Sequence, residues 1–306
     1  MLDIKAQTLM TVAETGNYTK AAARLNLTQP AVSHHIQLLE KELHTKLFVY
    51  RHGEMKLTPE GEIALKCARR MKALYENLQY EITDAEKHQT KVRVGITHTA
   101  ESNLVAEVLA KYTNENPGMI IQIATHTINI LYSMLDNYEL DLAIVEGRPT
   151  NPNMRSLLLG TDYLVCVVPI NHPLASKSMV TLDDLKKENL ILRSAKSSTR
   201  NLFNSGLISL NESIDDFNVI LEVDNIATIK DLIIKNFGIS ILANSTCIEE
   251  VRRKKIVALP VENLSMIREI NIVYQKDFEH MEMLSSLMSL YQQATHEEQS
   301  SYSAAV

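Results

Sequence analysis

"AAARLNLTQPAVSHHIQLLE", residues 21–40, decides how this chain is read. It begins as an Ala-rich helix, breaks at Asn26-Leu27, and restarts at once with Thr28, Gln29 and Pro30. Thr28 is a natural N-cap, and Pro30 is tolerated in the first turn because the N–H it lacks would have no helical partner there. Val32, Ile36 and Leu39 then recur at i, i+4 and i+7, which predicts one buried stripe. Gln29, Ser33 and Gln37 share a second face, with Pro30 and His34 beside it, and no acid interrupts that face before Glu40. A solubilising face would carry Lys and Glu instead. Gln reads an adenine edge with two hydrogen bonds in the major groove, and Ser reaches either base type or a phosphate. Ala21 and Ala22 are small enough to let the two helices cross closely. A helix, a tight turn and a second helix with polar readers form a helix-turn-helix, and its target is double-stranded DNA. Lys20, Arg24, Lys46, Arg51 and Lys56 surround it as phosphate-binding candidates.

Upstream, residues 3–15 place Ile4, Leu9, Val12 and Ala13 near helical spacing, and Gly16-Asn17 ends that helix. Thr19 is expected to cap the next helix, which runs through Leu25. Downstream, "LFVYRHGEMKLT", residues 47–58, predicts two short extended pieces hinged at His52-Gly53, a small hairpin. At Thr58-Pro59 a long helix starts and runs to about Lys87. Met71, Leu74, Leu78 and Ile82 make a stripe along it that fits a partner helix in a dimer; the alternative is packing on its own chain.

From Lys91 the texture changes to alternating strands and helices, which predicts a parallel sheet covered on both faces. "KVRVGIT", "MIIQIATH", "LDLAIVE", "DYLVCVVP", "NLILRS", "FNVILEV" and "GISILA" read as strands. Leu104, Val105, Val108, Leu109 and Tyr112 form the core face of one helix; "INILYSMLDN" is another, and "NIATIKDLIIKNF" is a third, ended by Gly238. Ligands of open α/β sheets sit beyond the carboxyl ends of strands, beside helix N-termini. Four such loops offer Thr97, Thr99 and Ser102; Thr125 and His126; Arg193, Ser197, Ser198 and Thr199; and Asn225 after Asp224. Hydroxyls, helix-start amides and arginines hold an anion, so a small carboxylate or oxyanion is the expected ligand, with Thr99 and Ser198 on opposite walls. Each hydroxyl has an alternative use as a helix cap.

The remaining composition bounds the function. A chain of 306 residues with 45% hydrophobic side chains can build two or three compact units. No apolar run spans a membrane, and residues 1–15 carry acids and polar groups where a secretory signal would be apolar. Cys67, Cys166 and Cys247 are too scattered for a disulfide framework or metal cluster, which fits inert buried thiols in a reducing cytoplasm, with a redox-sensing thiol as the alternative. Residues 1–70 hold ten Lys/Arg and seven Asp/Glu, a net +3 in a chain of net −6, so the remainder carries −9. A basic head on an acidic body fits two separate tasks. An enzyme would need chemistry that is not evident: there is no GxSxG, HExxH or P-loop, and His98 with His126 lacks the further ligands of a metal site. A cytoplasmic small-molecule-binding protein or α/β cleft enzyme without a DNA role remains the alternative. A bare exported solute-binding protein does not fit the start of the chain. No cofactor is implied beyond a small-molecule effector.

"NYTKAAARLNLTQPAVSHHIQLLEKELHTKLF" (17–48) and "LTPEG" (57–61) resemble the LysR-type transcriptional regulators. The resemblance is specific over about residues 4–65 and extends more loosely through "LDLAIVEG", "NHPLA" and "LILRSAKSSTR". Two positions depart from the family pattern. Tyr50 stands where the family usually has the hairpin Arg, with Arg51 following, and His44-Thr45 replaces a usual Gly-containing turn. The resemblance implies an N-terminal all-α winged helix-turn-helix with a long linker helix, then an α/β effector module of two subdomains resembling a periplasmic solute-binding protein. The expected bounds are 1–58 for the DNA-binding domain, 59–90 for the dimerisation helix and 91–306 for the effector domain. Subdomain one covers about 91–161 and 267–296, and subdomain two about 162–266. DNA contacts are expected from Lys20, Thr28, Gln29, Pro30, Ser33, His34, Gln37 and Arg51. The resemblance further implies a dyad-symmetric promoter site, activation rather than repression, a dimer or homotetramer, and RNA polymerase as a candidate partner.

Overall fold

The computed structural model describes residues 3–51, 54–87, 89–102 and 104–303. It divides into one unit of Met1–Thr90 with Asp136–Glu139 and a second of Lys91–Leu135 with Leu140–Val306.

In the first unit, α1 (Ile4–Thr15) stops where Gly16 turns to a φ of +63°, as the Gly-Asn break predicts. Helix α2 (Tyr18–Leu25) is capped by Asn17, whose side chain accepts from the Thr19 and Lys20 N–H groups; Thr19 is not the cap but lies inside the first turn. Asn17 wins because its extended backbone places the short amide oxygen under two free N–H groups at once. Asn26 ends α2 at a φ of +55°, and Thr28 caps α3 (Gln29–Glu42) with Pro30 in its first turn. Leu9, Val12, Ala21, Ala22, Val32 and Ile36 form the core of this bundle with Leu47 and Leu65. After α3 the chain turns at His44, with a φ of +52°, a left-handed conformation at the position where the resemblance implies a Gly-containing turn. Strands β1 (Phe48–Arg51) and β2 (Glu54–Leu57) pair antiparallel; the hairpin tip expected at His52-Gly53 lies outside the described residues. Helix α4 (Pro59–Lys87) follows as expected from its apolar stripe.

The second unit alternates β3 (Thr90–Ile96), α5 (His98–Glu101), α6 (Val105–Glu115), β4 (Met119–Thr125), α7 (Ile128–Asp136), β5 (Leu142–Glu146) and β6 (Met154–Pro169). Then come α8 (Leu182–Lys186), β7 (Asn189–Leu192), α9 (Ser198–Ser209), β8 (Asn218–Glu222), α10 (Ile226–Ile234), β9 (Ser240–Ala243), α11 (Ile248–Arg252), β10 (Ile256–Leu259), β11 (Ile267–Gln275) and α12 (Met281–Ser303). The strand order is β10-β6-β11-β5-β3-β4, with β9 also on β6, and β7 paired with β8.

The sheet is mixed, not parallel as expected. β3 pairs parallel with β5 and β7 with β8, but β11 runs antiparallel to both β5 and β6. The reason is connectivity: β6 carries the chain from the side of β3 and β5 to that of β9 and β10, and β11 returns it, so the two crossing strands oppose each other. Along β6, Leu164, Cys166 and Val168 enter one core while Val165 and Val167 enter another, the alternation of a strand covered on both faces. Around β3, β5 and β11, α6 and α12 cover one face and α7 the other.

Gly238 does not end α10. The helix stops at Lys235, and Asn236 takes the positive φ of 62°. Gly238 is needed for closeness instead, because a Cβ there would lie 2.5 Å from the Asn189 carbonyl oxygen.

Candidate functional site

The amino-terminal unit presents α3 much as the spacing predicts. Val32 and Ile36 are fully buried, Leu39 is half-buried, and Gln29, Pro30, His34 and Gln37 are exposed with Ser33 at their edge. Glu40, the one acid near this face, is turned inward. Its Oε1 accepts from the Leu47 N–H at 2.9 Å and its Oε2 from Lys46 Nζ at 2.6 Å, tying the end of α3 to the start of the hairpin. The exposed face of α3 therefore offers donors and amides but no carboxylate until Glu42.

Several phosphate candidates are already committed. Arg24 pairs with Glu14 at 2.8 Å, Lys46 with Glu40 and Lys56 with Glu54 at 3.3 Å. Lys20 and Arg51 are exposed, and no ion pair occupies either among the described residues.

In the second unit the strand-end loops converge, but on a carboxylate that the loop reading missed. Glu146, at the carboxyl end of β5, is 8% exposed. Thr97 Oγ1 donates to its Oε1 at 2.7 Å and Ser198 Oγ donates to its Oε2 at 3.0 Å. Thr97 thus does two jobs, since its hydroxyl also accepts from the Ala100 N–H and caps α5. Ser198 comes from the start of α9, so Glu146 bridges the ends of β3, β5 and β7.

Beside it lies a buried ion pair. Arg268 Nη2 donates to Asp162 Oδ2 at 3.3 Å, and Arg268 Nη1 donates to Thr199 Oγ1 at 3.3 Å and Ser198 Oγ at 3.5 Å. Asp162 is further held by Ser245 Oγ at 2.8 Å. Arg193, 4% exposed, has a buried Nε without a hydrogen-bond acceptor, and its nearest carboxylate, Asp224 Oδ1, is 3.9 Å away. Burial lowers the pKa of its guanidinium, while Asp224 and Glu146 raise it and Arg268 lowers it further. Arg193 therefore keeps one buried donor without an acceptor, five residues before the start of α9.

Other expected contacts fall away from this cluster. Thr99, expected on the wall opposite Ser198, is 3% exposed, folded inward by the one-turn helix α5. Ser197 caps α9 by accepting from the Arg200 N–H, Asn225 caps α10 by accepting from the Thr228 N–H, and Ser102 Oγ donates to His98 O. Thr125 and His126 end β4, where the His126 N–H donates to Ile96 O and no described side-chain bond joins either residue to Glu146. The missed residues, Glu146, Asp162 and Arg268, sit inside apolar strand patterns. The strand-end rule alone could have found Glu146, the last residue of "LDLAIVE".

The cysteines divide. Cys166 and Cys247 are buried, and burial pushes the Cys247 thiol up to about 12 and that of Cys166 higher still; Cys67 is exposed on α4, against the expectation that it is buried. No helix among the described residues is long and apolar enough to cross a membrane.

Comparison with known proteins covers both units. Residues 5–62 match the family model described as bacterial regulatory helix-turn-helix protein, lysR family, and residues 85–295 match that of the LysR substrate binding domain. An uncharacterized HTH-type transcriptional regulator of Methanocaldococcus jannaschii, MJ0300, is 28% identical over 268 residues, 87% of this chain and 90% of that one. The HTH-type transcriptional regulator CysL of Bacillus subtilis is 25% identical over 292 residues, 94% of this chain and 96% of its own. The crystal structure of full-length CbnR complexed with target DNA shares the fold with a TM-score of 0.64 at 17% identity, covering 94% of this chain and 98% of that one.

Proposed function

The chain belongs to the LysR family of DNA-binding transcriptional regulators with an effector-binding domain, and from that premise we propose that it reads a dyad-symmetric promoter site through α3 and answers a small anion held by Arg193. In this reading it is a cytoplasmic activator with RNA polymerase as a partner, working as a dimer or tetramer. Its parts are a reading domain at 1–58, a pairing helix at 59–90 and an effector module at 91–306. The observation that carries the DNA half is the polar, acid-free face of α3, with Glu40 turned into the hairpin. Gln29 leads that face, Ser33 and Gln37 follow one and two turns on, and Lys20 and Arg51 flank it for phosphates. Pairing is supported by Met71, Leu74, Leu78 and Ile82, apolar residues along one stripe of α4 that are between 51% and 59% exposed.

Two copies then place two α3 helices on successive half-sites. The effector biases two arrangements of the assembly by binding one of them better, which alters how the half-sites are engaged. Gln29→Ala tests the reading. Binding to a panel of single-base operator variants is expected to lose discrimination at one position per half-site, by about 1–3 kcal/mol. An unchanged preference profile removes Gln29 as a reader.

A further inference from the structure

Glu146 is buried, yet among the described residues no cation pairs with it. Its oxygens accept one neutral hydroxyl each, from Thr97 and Ser198. A carboxylate offers about four lone-pair positions, so roughly half its capacity is unused. Buried carboxylates are normally paired or bind a metal, and no group of three or more His, Cys, Asp or Glu that could hold a metal occurs among the described residues. Arg193 is the complementary case, a guanidinium 4% exposed whose Nε lacks an acceptor. Ser198, which donates to Glu146, opens α9 five residues after Arg193, so the two charges lie at neighbouring strand ends, and no salt bridge joins them among the described residues. A buried carboxylate with no cation on it, and a buried guanidinium whose Nε is free and whose ion-pair partner Asp224 stands at 3.9 Å, are complementary to one molecule that carries both charges.

We infer that the effector is a zwitterion of the α-amino-acid class, with its carboxylate on Arg193 and its ammonium on Glu146. The inference rests on the reading of this cleft as an anion site and adds the second half of the ligand. A guanidinium fork suits a planar carboxylate, and a compact ammonium with three donors suits the free lone pairs of Glu146. Thr97 and Ser198 set the direction of those lone pairs by occupying the others. A dicarboxylate would set its second negative charge against Glu146, and a 2-hydroxy acid would offer a neutral donor where a charge is called for.

The test uses the full chain, with thermal shift and calorimetry against the standard L-amino acids. The 2-hydroxy acid and the decarboxylated amine of each amino acid that binds are then measured. At least one amino acid is expected to bind about tenfold or more tighter than its 2-hydroxy acid, the margin of a charge-assisted hydrogen bond over a neutral one. Glu146→Gln is expected to bring that ratio near one, and Arg193→Gln to weaken amino acid and hydroxy acid together. Equal binding of amino acid and hydroxy acid by the unaltered protein, or a preference that survives Glu146→Gln, overturns the zwitterion and leaves the anion reading intact. Carboxylate binding untouched by Arg193→Gln, or an amine that binds as tightly as its amino acid, overturns the anion reading as well. A panel with no binding amino acid overturns the inference. The comparison in the unaltered protein decides even where a variant melts early.

Discussion

Gly61 supplies a prediction whose sign depends on the structure. It lies in the first turn of α4, where helix propensity alone says that Ala should stabilise by about 1 kcal/mol. A Cβ at Gly61 would stand 2.2 Å from the Leu47 carbonyl oxygen and 2.9 Å from Leu57 Cδ2. Carbon–oxygen contacts relax only at about 3.3 Å or more, so α4 and the start of the hairpin must part by about 1 Å. That same carbonyl accepts the Thr58 N–H at 3.0 Å, while Thr58 Oγ1 donates to Lys46 O at 2.6 Å and accepts from the Gly61 N–H at 2.8 Å. Overpacking costs about 1–3 kcal/mol and a weakened buried backbone bond about 1–3 more, less the propensity gain. Gly61→Ala is therefore expected to destabilise the amino-terminal unit by about 3 kcal/mol and to weaken operator binding, because the hairpin shifts against α3. Gly206→Ala is the control: its Cβ meets Leu264 Cδ2 at 2.9 Å, a side-chain tip that can rotate away, so its effect should stay within about 1 kcal/mol. Urea unfolding and operator titration of both variants read the result. Stability of Gly61→Ala equal to or above that of the parent refutes the steric argument.

Three further outcomes follow from the geometry. Leu74→Asp with Leu78→Asp is expected to lower the sedimenting mass and the operator affinity together, since two half-sites are no longer held jointly; retained mass would show that another surface pairs the chains. A thiol reagent near pH 8 should label Cys67 alone in the folded protein, with Cys166 and Cys247 reacting only in denaturant, as mass spectrometry can count. Thr97→Ala removes a cap and a donor to Glu146 and should lower the melting stability by about 1–2 kcal/mol, whereas Thr97→Ser, which keeps the hydroxyl, should not.

Local order was legible wherever the side-chain period carried it. The Val32/Ile36 stripe, the restart at Thr28 and the strand–helix alternation are all short-range, and the structure repeats them. Direction was not legible, because β5 and β11 pair antiparallel only through a return near the end of the chain that no local pattern encodes. Caps were half legible: Asn17 and Thr19 are both capping types, and backbone angle chose between them. In the cleft, sequence reasoning picked hydroxyls and passed over Glu146, Asp162 and Arg268. Periodicity assigns charged residues to the surface; the strand-end rule points to Glu146, but only the three-dimensional arrangement shows that Asp162 and Arg268 are inside. Thr97 and Ser198 were singled out as ligand donors, and the structure puts both on a carboxylate of their own chain.

Strand β6 runs for 16 residues and changes partners part-way along its length. From Met154 to Tyr163 it is laddered to β11, and from Leu164 onward to β9 and β10. Arg268 and Asp162 face each other across that ladder close to where β6 changes partners. Any swing of one subdomain against the other must therefore twist a hydrogen-bonded ribbon instead of bending a slack loop. Such a ribbon behaves as a torsion bar: it resists wide gaping, returns elastically, and turns a push at the cleft into rotation about its own length. The movement a ligand can cause here is short in stroke and greatest at the rims farthest from the ribbon.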